Sequence, residues 1–276
     1  MQKRVLAIVV SYYPDKDLFI RNISALLESV DKLIIWENTP EKAEDYRYAT
    51  DSKIEYVSEG GNVGISKALN YAYNYALRYN YDYLLTMDQD SYFINLKQYL
   101  DTSLFFAGEL PYIYGPLVTR NKDTIPDNKI IKLNKHQSII TSGMLIPTIV
   151  LNIIGGYCED FMVDAIDVDF CIRAKNAGYS IYRNGNGVLL QHFGEPYTRS
   201  LLGKQYICPN YSASRLYGIF RNHLIIYRRY HKIETKKLLF MYFRHFIPRI
   251  VLWEKNKIKK LGSIFKGITD GFTYKI

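Results

Sequence analysis

The 276-residue sequence has little cysteine and no long apolar run, and both absences narrow the classes of protein to which it can belong. Its three cysteines, Cys158, Cys171 and Cys208, are widely spaced and form no Cys-x-x-Cys pair. This argues against a disulfide framework or a zinc site and favours a reducing compartment. No stretch reaches ~18 consecutive apolar residues, so the sequence predicts no transmembrane helix. The short apolar run at 5–10 lacks a small-residue cleavage site and favours a buried strand over a signal peptide.

The glycines do not form a known phosphate-binding fingerprint. Gly60, Gly61 and Gly64 fit neither a Walker loop nor Gly-x-Gly-x-x-Gly, so the sequence does not support ATP or NAD binding. A turn is the simplest interpretation of these glycines.

Acidic residues are scarce at one end of the chain. Residues 228–276 contain 13 Lys and Arg against 3 Asp and Glu, whereas residues 1–227 contain 23 against 24. The whole positive excess, +9 for the chain, therefore lies in this basic tail. Large apolar residues alternate with the charges, which favours an anionic membrane surface as partner over a merely solvated helical face. The slightly acidic remainder argues against nucleic acid.

Strand and helix patterns alternate over the first ~190 residues, as in an α/β fold with a mainly parallel sheet. Predicted strands include 5–11, 32–36, 54–58, 82–87, 138–147, 179–183 and 188–192. Apolar residues at helical spacing predict a helix over 65–77, with Asn62 placed to cap it. From about residue 211 only helices are predicted, at 217–230 and 235–260, and Pro248 should kink or divide the second. We therefore expect two domains, 1–210 and 211–276.

Two aspartates follow the predicted strand at 82–87. In open α/β sheets ligands bind beyond the carboxyl ends of the strands, and Asp88 and Asp90 stand at such an end. Residues two apart in an extended chain point the same way, so both carboxylates converge on one spot suited to Mg²⁺ or Mn²⁺. A pair of solvated aspartates in a turn is the alternative for this motif by itself.

A second acidic group precedes a predicted helix. It comprises Asp160, Asp164, Asp167 and Asp169, and favourable charge at a helix N-terminus explains one or two of them. His192 ends a predicted strand. A lone histidine is more often structural than a metal ligand, although imidazole is a common one.

Taken in order, these blocks resemble the inverting glycosyltransferases of family 2, in their rhamnosyltransferase-like branch. The resemblance is carried by segments spread over nearly the whole chain: 9–14, 62–70, 83–91, the run from Ser142-Gly143 through Asp164, Asp167, Asp169 and Arg173 to His192, and the ending 266–272. It implies a GT-A (Rossmann-like) nucleotide-sugar-binding α/β sandwich followed by a C-terminal helical extension.

The resemblance also implies roles for individual residues. Asp167 is the general base. Asp90, His192 and Asp88 hold Mg²⁺ or Mn²⁺. The donor, a dTDP- or UDP-sugar, is bound by the residues Ser11, Glu37, Asn62, Gly64, Lys67, Asp88 and Asp90. The expected acceptor is a glycan or a polyprenyl-diphosphate-linked glycan of a cell-surface polysaccharide, used at the cytoplasmic face of the membrane.

The sequence departs from the family at two positions. Glu37 stands where the family usually has aspartate, which keeps the carboxylate with one more methylene, and Ile166 replaces the acidic neighbour of Asp167. Donor identity stays open between dTDP-rhamnose and a UDP-hexose or UDP-galactofuranose. A protein that binds nucleotide-sugars without catalysis is the alternative of another class.

Overall fold

The computed structural model describes residues 3–40, 47, 49–108, 110–191, 196–201, 203–231 and 233–276. These residues divide into two compact units. The first lies within 1–160 and 166–192, and the second within 161–165 and 193–276.

The first unit is a mixed sheet with helices. Its strands are β1 (Val5–Ser11), β2 (Lys32–Glu37), β3 (Ile54–Ser58), β4 (Tyr83–Asp88), β5 (Ser91–Phe93), β6 (Ile113–Thr119), β7 (Ile130–Lys132), β8 (Met144–Pro147) and β9 (Ile181–Gln191). Its helices are α1 (Lys16–Leu27), α2 (Ile65–Arg78), α3 (Leu96–Ala107), α4 (Thr148–Ile154) and α5 (Ile166–Asn176). The strand order is β3-β2-β1-β4-β8-β6-β9-β5, and β7 pairs with β9.

One side of the sheet is parallel. β3, β2, β1 and β4 run in the same direction. β1 and β4 are almost wholly buried, as expected for strands covered on both faces. α1 begins after Asp15, whose side chain accepts the Leu18 N–H at 3.0 Å and caps the helix. The fold therefore brings the carboxyl ends of four neighbouring strands to one edge.

Two strand predictions differ from the structure. The two strands predicted at 179–183 and 188–192 are replaced by one strand, β9, over Ile181–Gln191, with His192 outside the described residues, and the strand predicted over 138–147 is confined to β8. The glycines inside β9 allow close packing: a Cβ on Gly187 would lie 2.4 Å from the Tyr99 ring. The pairing with β6 passes from Pro116–Asn184 directly to Leu117–Val188, so residues 185–187 form an irregularity within β9 rather than a turn between two strands.

The second unit contains a hairpin and helices. The hairpin pairs β10 (Tyr197–Leu201) with β11 (Lys204–Cys208), and the helices are α6 (Ala213–Tyr230), α7 (Ile233–Leu252) and α8 (Lys257–Thr273). Their shared core contains Leu216, Ile219, Phe220, Phe246, Ile250 and Ile264. In the part of the chain that the structure describes, no helix combines the length and apolar composition needed to cross a membrane.

The prediction of one helix over 235–260 was wrong, and so was its division at Pro248. Pro248 lies inside α7, and the chain breaks instead between Leu252 and Lys257. Glu254, in this break, is buried and accepts a 2.7 Å bond from the Lys260 ammonium of α8. The buried ion pair ties the turn to α8, because either charge left unpaired there would be costly.

Candidate active site

Three residues singled out from the sequence end three neighbouring strands. Ser11 is the last residue of β1 and pairs with Glu37, the last residue of β2. On the other side of β1, Val10 pairs with Asp88, the last residue of β4. Because these strands are parallel, the three residues lie along one edge of the sheet, where open α/β sheets bind ligands.

Glu37 is a buried carboxylate at this edge. Its side chain is 1% exposed, and the Arg47 Nε lies 3.8 Å from its Oε2. A buried carboxylate is costly to desolvate, and a neighbouring cation offsets part of that cost. Position 37 therefore keeps a buried carboxylate at the end of β2.

Asn38 connects the end of β2 to the loop before α2. The buried Asn38 Oδ1 accepts bonds from Trp36 Nε1 at 3.0 Å and from the Val63 N–H at 3.2 Å. Its Nδ2 donates to the Gly64 carbonyl at 3.3 Å. The loop that carries Asn62 and Gly64 is thus fixed against β2.

The expectation that Asn62 caps α2 was wrong. Gly64 occupies the cap position with φ of 86°, a conformation that favours glycine, and the Asn62 Oδ1 accepts the Gly64 N–H at 3.0 Å. Asn62 therefore shapes the loop rather than the helix end. Lys67, in the first turn of α2, forms an ion pair with Glu59.

Several elements hold the backbone and side chain of Asp88. Its N–H donates to the Ser142 hydroxyl at 3.1 Å, and its carbonyl accepts from Asn22 Nδ2 at 2.9 Å. Its carboxylate Oδ2 accepts from Gln191 Nε2 at 3.2 Å. Asn22 and Ser142 are buried, so polar contacts from α1, the loop before β8 and the end of β9 fix this residue.

The predicted metal ligands are only partly within the described residues. Asp88, at the end of β4, and Asp90, in the turn before β5, are both half-buried, and His192 lies outside the described residues. Within the described ranges, no group of three or more His, Cys, Asp and Glu side chains is arranged to hold a metal ion. Proteins usually bind Mg²⁺ through one or two carboxylates together with substrate phosphates, and the Asp88 and Asp90 donor set fits that mode.

The second acidic group separates into residues with different surroundings. Asp169 is fully buried, and its Oδ2 accepts a 2.8 Å bond from Arg173 Nε one helical turn later. Arg173 also donates to the carbonyls of Ile154 and Gly156, so this pair fastens α5 to the end of α4. Asp169 therefore has a structural role.

Asp164 belongs to the second unit. Its Oδ1 lies 3.4 Å from Arg215 Nη2, and burial raises the pKa of its carboxyl, an effect that Arg215 opposes. Asp164 and Ala165 both have positive φ, at 60° and 67°. Two consecutive left-handed residues without glycine are strained, and such strain clusters at functional sites.

Asp167 lies in the first turn of α5. It is half-buried, and its Oδ1 accepts the N–H of Val168 at 2.8 Å. Burial raises the pKa of the nearby Tyr157 hydroxyl, and smaller effects on it come from groups that include Thr86 of β4 and the Asp167 charge. The Asp167 charge is thus one of the smaller electrostatic effects on this buried tyrosine.

Position 166 explains why the family's acidic neighbour can be absent. Ile166 is 5% exposed and begins α5 as part of the buried interior. A carboxylate at this place would need a partner to offset its desolvation. Ile166 is therefore a buried apolar residue at the position where the resembled family has an acidic side chain.

No protein-family model matches the chain. A curated relative, the dTDP-rhamnosyl transferase RfbF of Shigella flexneri, is 23% identical over 98% of this chain and 96% of the relative. The likeness therefore extends over practically the full length of both proteins.

Solved glycosyltransferase structures share the fold. S. aureus TarS 1-349 in complex with UDP-GlcNAc matches with a TM-score of 0.58 at 14% identity, over 97% of this chain and 81% of that one. GalNAc-T7 with UDP, GalNAc and Mn²⁺ matches with a TM-score of 0.61 at 9% identity, over 86% of this chain. This chain spans half the length of the GalNAc-T7 chain. The comparisons confirm the predicted GT-A α/β fold and the resemblance to glycosyltransferases, and they support a glycosyltransferase enzyme.

Proposed function

We propose that this protein is a metal-dependent, inverting glycosyltransferase of cell-surface polysaccharide synthesis. The observation that carries the proposal is the common edge where β1, β2 and β4 end in Ser11, Glu37 and Asp88. The sugar is transferred from a nucleotide donor to a glycan or a polyprenyl-diphosphate-linked acceptor. The full-length relative is named a dTDP-rhamnosyl transferase, so dTDP-rhamnose is the favoured donor.

The donor lies along the sheet edge in this proposal. Glu37 and Ser11 hold the nucleoside, and the loop of Asn62, Gly64 and Lys67 borders it. Burial of Glu37 supports this role. A desolvated carboxylate that accepts a hydrogen bond from a ribose hydroxyl or a base N–H discriminates strongly against ligands that lack that hydroxyl or N–H.

Asp88 and Asp90, with His192, would hold Mg²⁺ or Mn²⁺, and the bound ion would supply Lewis-acid stabilisation of the leaving diphosphate. The contacts to Asp88 from Ser142, Asn22 and Gln191 support this assignment, because they orient the residue before the donor binds.

Asp167 is the general base. It takes the proton of the acceptor hydroxyl while that oxygen bonds to the anomeric carbon and the bond to the diphosphate breaks, which inverts the configuration. Asp169 is unsuited to this role because it is buried against Arg173. Asp167 is partly exposed and lies at the start of a helix, so it is better suited than Asp169 to contact an acceptor hydroxyl.

The basic tail, residues 228–276, binds the anionic inner face of the cytoplasmic membrane in this proposal. Exposed apolar side chains support it: α8 exposes Ile258, Phe265 and Phe272, at 90%, 73% and 60%. On α7, Phe240 and Met241 are exposed beside Lys237 and Arg244. Apolar and basic groups on the same surface are typical of helices that lie in the headgroup region. This location would place the enzyme beside a lipid-linked acceptor.

Donor binding tests the proposal. We expect dTDP- or UDP-sugars with Mn²⁺ or Mg²⁺ to raise the unfolding temperature, since a ligand at 100 times its Kd stabilises the folded state by about 2.7 kcal/mol. Chromatographic detection of released nucleoside diphosphate would identify the donor and separate dTDP-rhamnose from UDP-hexose and UDP-galactofuranose. Binding without release or transfer would favour the non-catalytic alternative, and a folded protein that binds none of these compounds would contradict the proposal.

A further inference from the structure

The middle residue of Asp88-Gln89-Asp90 makes contacts that a spacer would not need. The Gln89 Oε1 accepts the backbone N–H of Tyr12, and the Gln89 Nε2 donates to the backbone carbonyl of the same Tyr12 at 3.1 Å. One side-chain amide thus satisfies both backbone groups of one residue 77 positions away. Tyr12 is the first residue after β1 and lies beyond the last backbone pairing of β1 with β4, which joins Val10 and Asp88.

The amide of Gln89 therefore continues the pairing of β1 with β4 past its end. Backbone strands pair through one donor and one acceptor per residue, and a primary amide supplies the same two groups. The loop after β1 is also tied to the end of β2, because the Tyr13 N–H donates to Thr39 Oγ1 at 3.0 Å. The loop after β1 is thus hydrogen-bonded on one side to the segment after β2 and on the other side to Gln89.

We propose that Gln89 is a positioning residue that fixes the distance between the nucleoside end and the diphosphate end of the donor site. The inference rests on the proposed function, in which Ser11 lies at the nucleoside and the two aspartates lie at the ion and diphosphate. A nucleoside diphosphate has to span both parts at once. Its affinity then depends on whether the distance between the two ends of the site is fixed before binding, because ordering two mobile loops on binding costs free energy.

The proposal distinguishes two kinds of ligand. A nucleoside by itself touches the nucleoside end only, so its affinity does not depend on the span. A nucleoside diphosphate with Mn²⁺ contacts both ends, so its affinity falls when the two hydrogen bonds between Gln89 and Tyr12 are removed. General destabilisation of the protein would weaken both ligands together.

The test uses Gln89→Met, which keeps the length of the side chain and removes both hydrogen-bonding groups. Gln205→Met is the matched control, since Gln205 is exposed on β11 in the second unit. Calorimetric titration measures the binding of dTDP and UDP with Mn²⁺, and of thymidine and uridine, to the full-length protein. Unfolding temperatures of all variants are measured in parallel.

We expect Gln89→Met to weaken binding of the nucleoside diphosphate with Mn²⁺ about tenfold, because the ligand then has to order the loop and the turn that the two hydrogen bonds hold in the unmodified protein. Nucleoside affinity should match that of Gln205→Met, and the unfolding temperature should fall by no more than the few degrees expected from the loss of two exposed hydrogen bonds. Unchanged diphosphate affinity would overturn the inference, as would an equal loss for nucleoside and diphosphate. If the unmodified protein binds neither dTDP nor UDP, the proposed function fails together with the inference, whereas a failure confined to the Gln89→Met comparison leaves the proposed function standing.

Discussion

Asp167 and Asp169 lie two positions apart in α5 and are expected to respond differently to the same substitution. Asp167→Asn should lower the transfer rate by about 10²- to 10⁴-fold, the usual effect of removing a general base. Its unfolding free energy should stay near that of the unmodified protein, because Asp167 is half-buried in the first helical turn. Transfer assays at saturating donor and urea unfolding measure the two quantities.

Asp169→Asn is the matched comparison within this helix. It removes the buried charge that faces Arg173, so the unfolding free energy should fall by about 3 kcal/mol. Equal activity of Asp167→Asn and the unmodified enzyme would remove Asp167 as the base. An unchanged stability of Asp169→Asn would show that the buried pair is not needed for the fold.

Side chains that act through short sequence patterns could be predicted from the sequence, and those that act across the fold could not. Ser11, Glu37 and Asp88 follow apolar runs, so their place at strand ends is visible in the sequence. Gln89 and Gln191 have no such signal, because their partners Tyr12 and Asp88 lie 77 and 103 positions away. Only the pairing of the strands brings these amides to their partners.

Among the helices, α6 and α8 approach each other closely at two glycines. A Cβ built on Gly267 of α8 would lie 2.6 Å from the Tyr217 carbonyl oxygen of α6, and one on Gly271 would lie 3.0 Å from the Arg221 oxygen. These neighbours are backbone atoms and cannot move independently of their helix. We therefore expect Gly267→Ala to destabilise the protein by about 1–3 kcal/mol, the usual cost of overpacking.

Gly262→Ala provides the control on the same helix. No atom lies within 4 Å of a Cβ built there, so alanine should stabilise α8 by about 0.5–1 kcal/mol through its better helix propensity. Thermal unfolding followed by circular dichroism compares the two variants. The same sign of change in both would mean that close packing of α6 and α8 does not determine the effect.

The elements themselves show where sequence patterns fail. The helical apolar stripe of α2 and the continuous apolar run of β1 were predicted correctly in kind, because burial dictates both patterns. Asn184-Gly185-Asn186-Gly187 is typical of a turn, yet it lies inside β9. The pairing of β9 with β6 skips residues 185–187, so the turn-like segment remains as an irregularity of the strand. The buried Asn184 side chain anchors it by donating to Ser103 and Thr102 of α3.

Considered as a whole, the protein concentrates its positive charge in one segment and exposes large apolar side chains there. Ile258, Phe265 and Phe272 follow one another at seven-residue intervals on α8, so they share one face of that helix. Water contact at three large apolar groups is unfavourable, and lysines at 259 and 266 are exposed on the same helix. A membrane surface with anionic headgroups would satisfy both features at once.

Vesicle binding tests this proposal. The protein should bind vesicles that contain phosphatidylglycerol, and binding should weaken as salt rises, because screening reduces the attraction between the basic tail and the headgroups. Phe265→Ser should weaken the partition by about tenfold or more, since burial of a phenylalanine side chain contributes about 1.5–3 kcal/mol. Phe105→Ser is the control, because Phe105 is 91% exposed on α3 of the first unit. Sedimentation with vesicles measures the bound fraction of each variant. An equal effect of the two substitutions would exclude α8 as the membrane-binding face, and equal binding to uncharged phosphatidylcholine vesicles would exclude attraction between the basic tail and anionic headgroups.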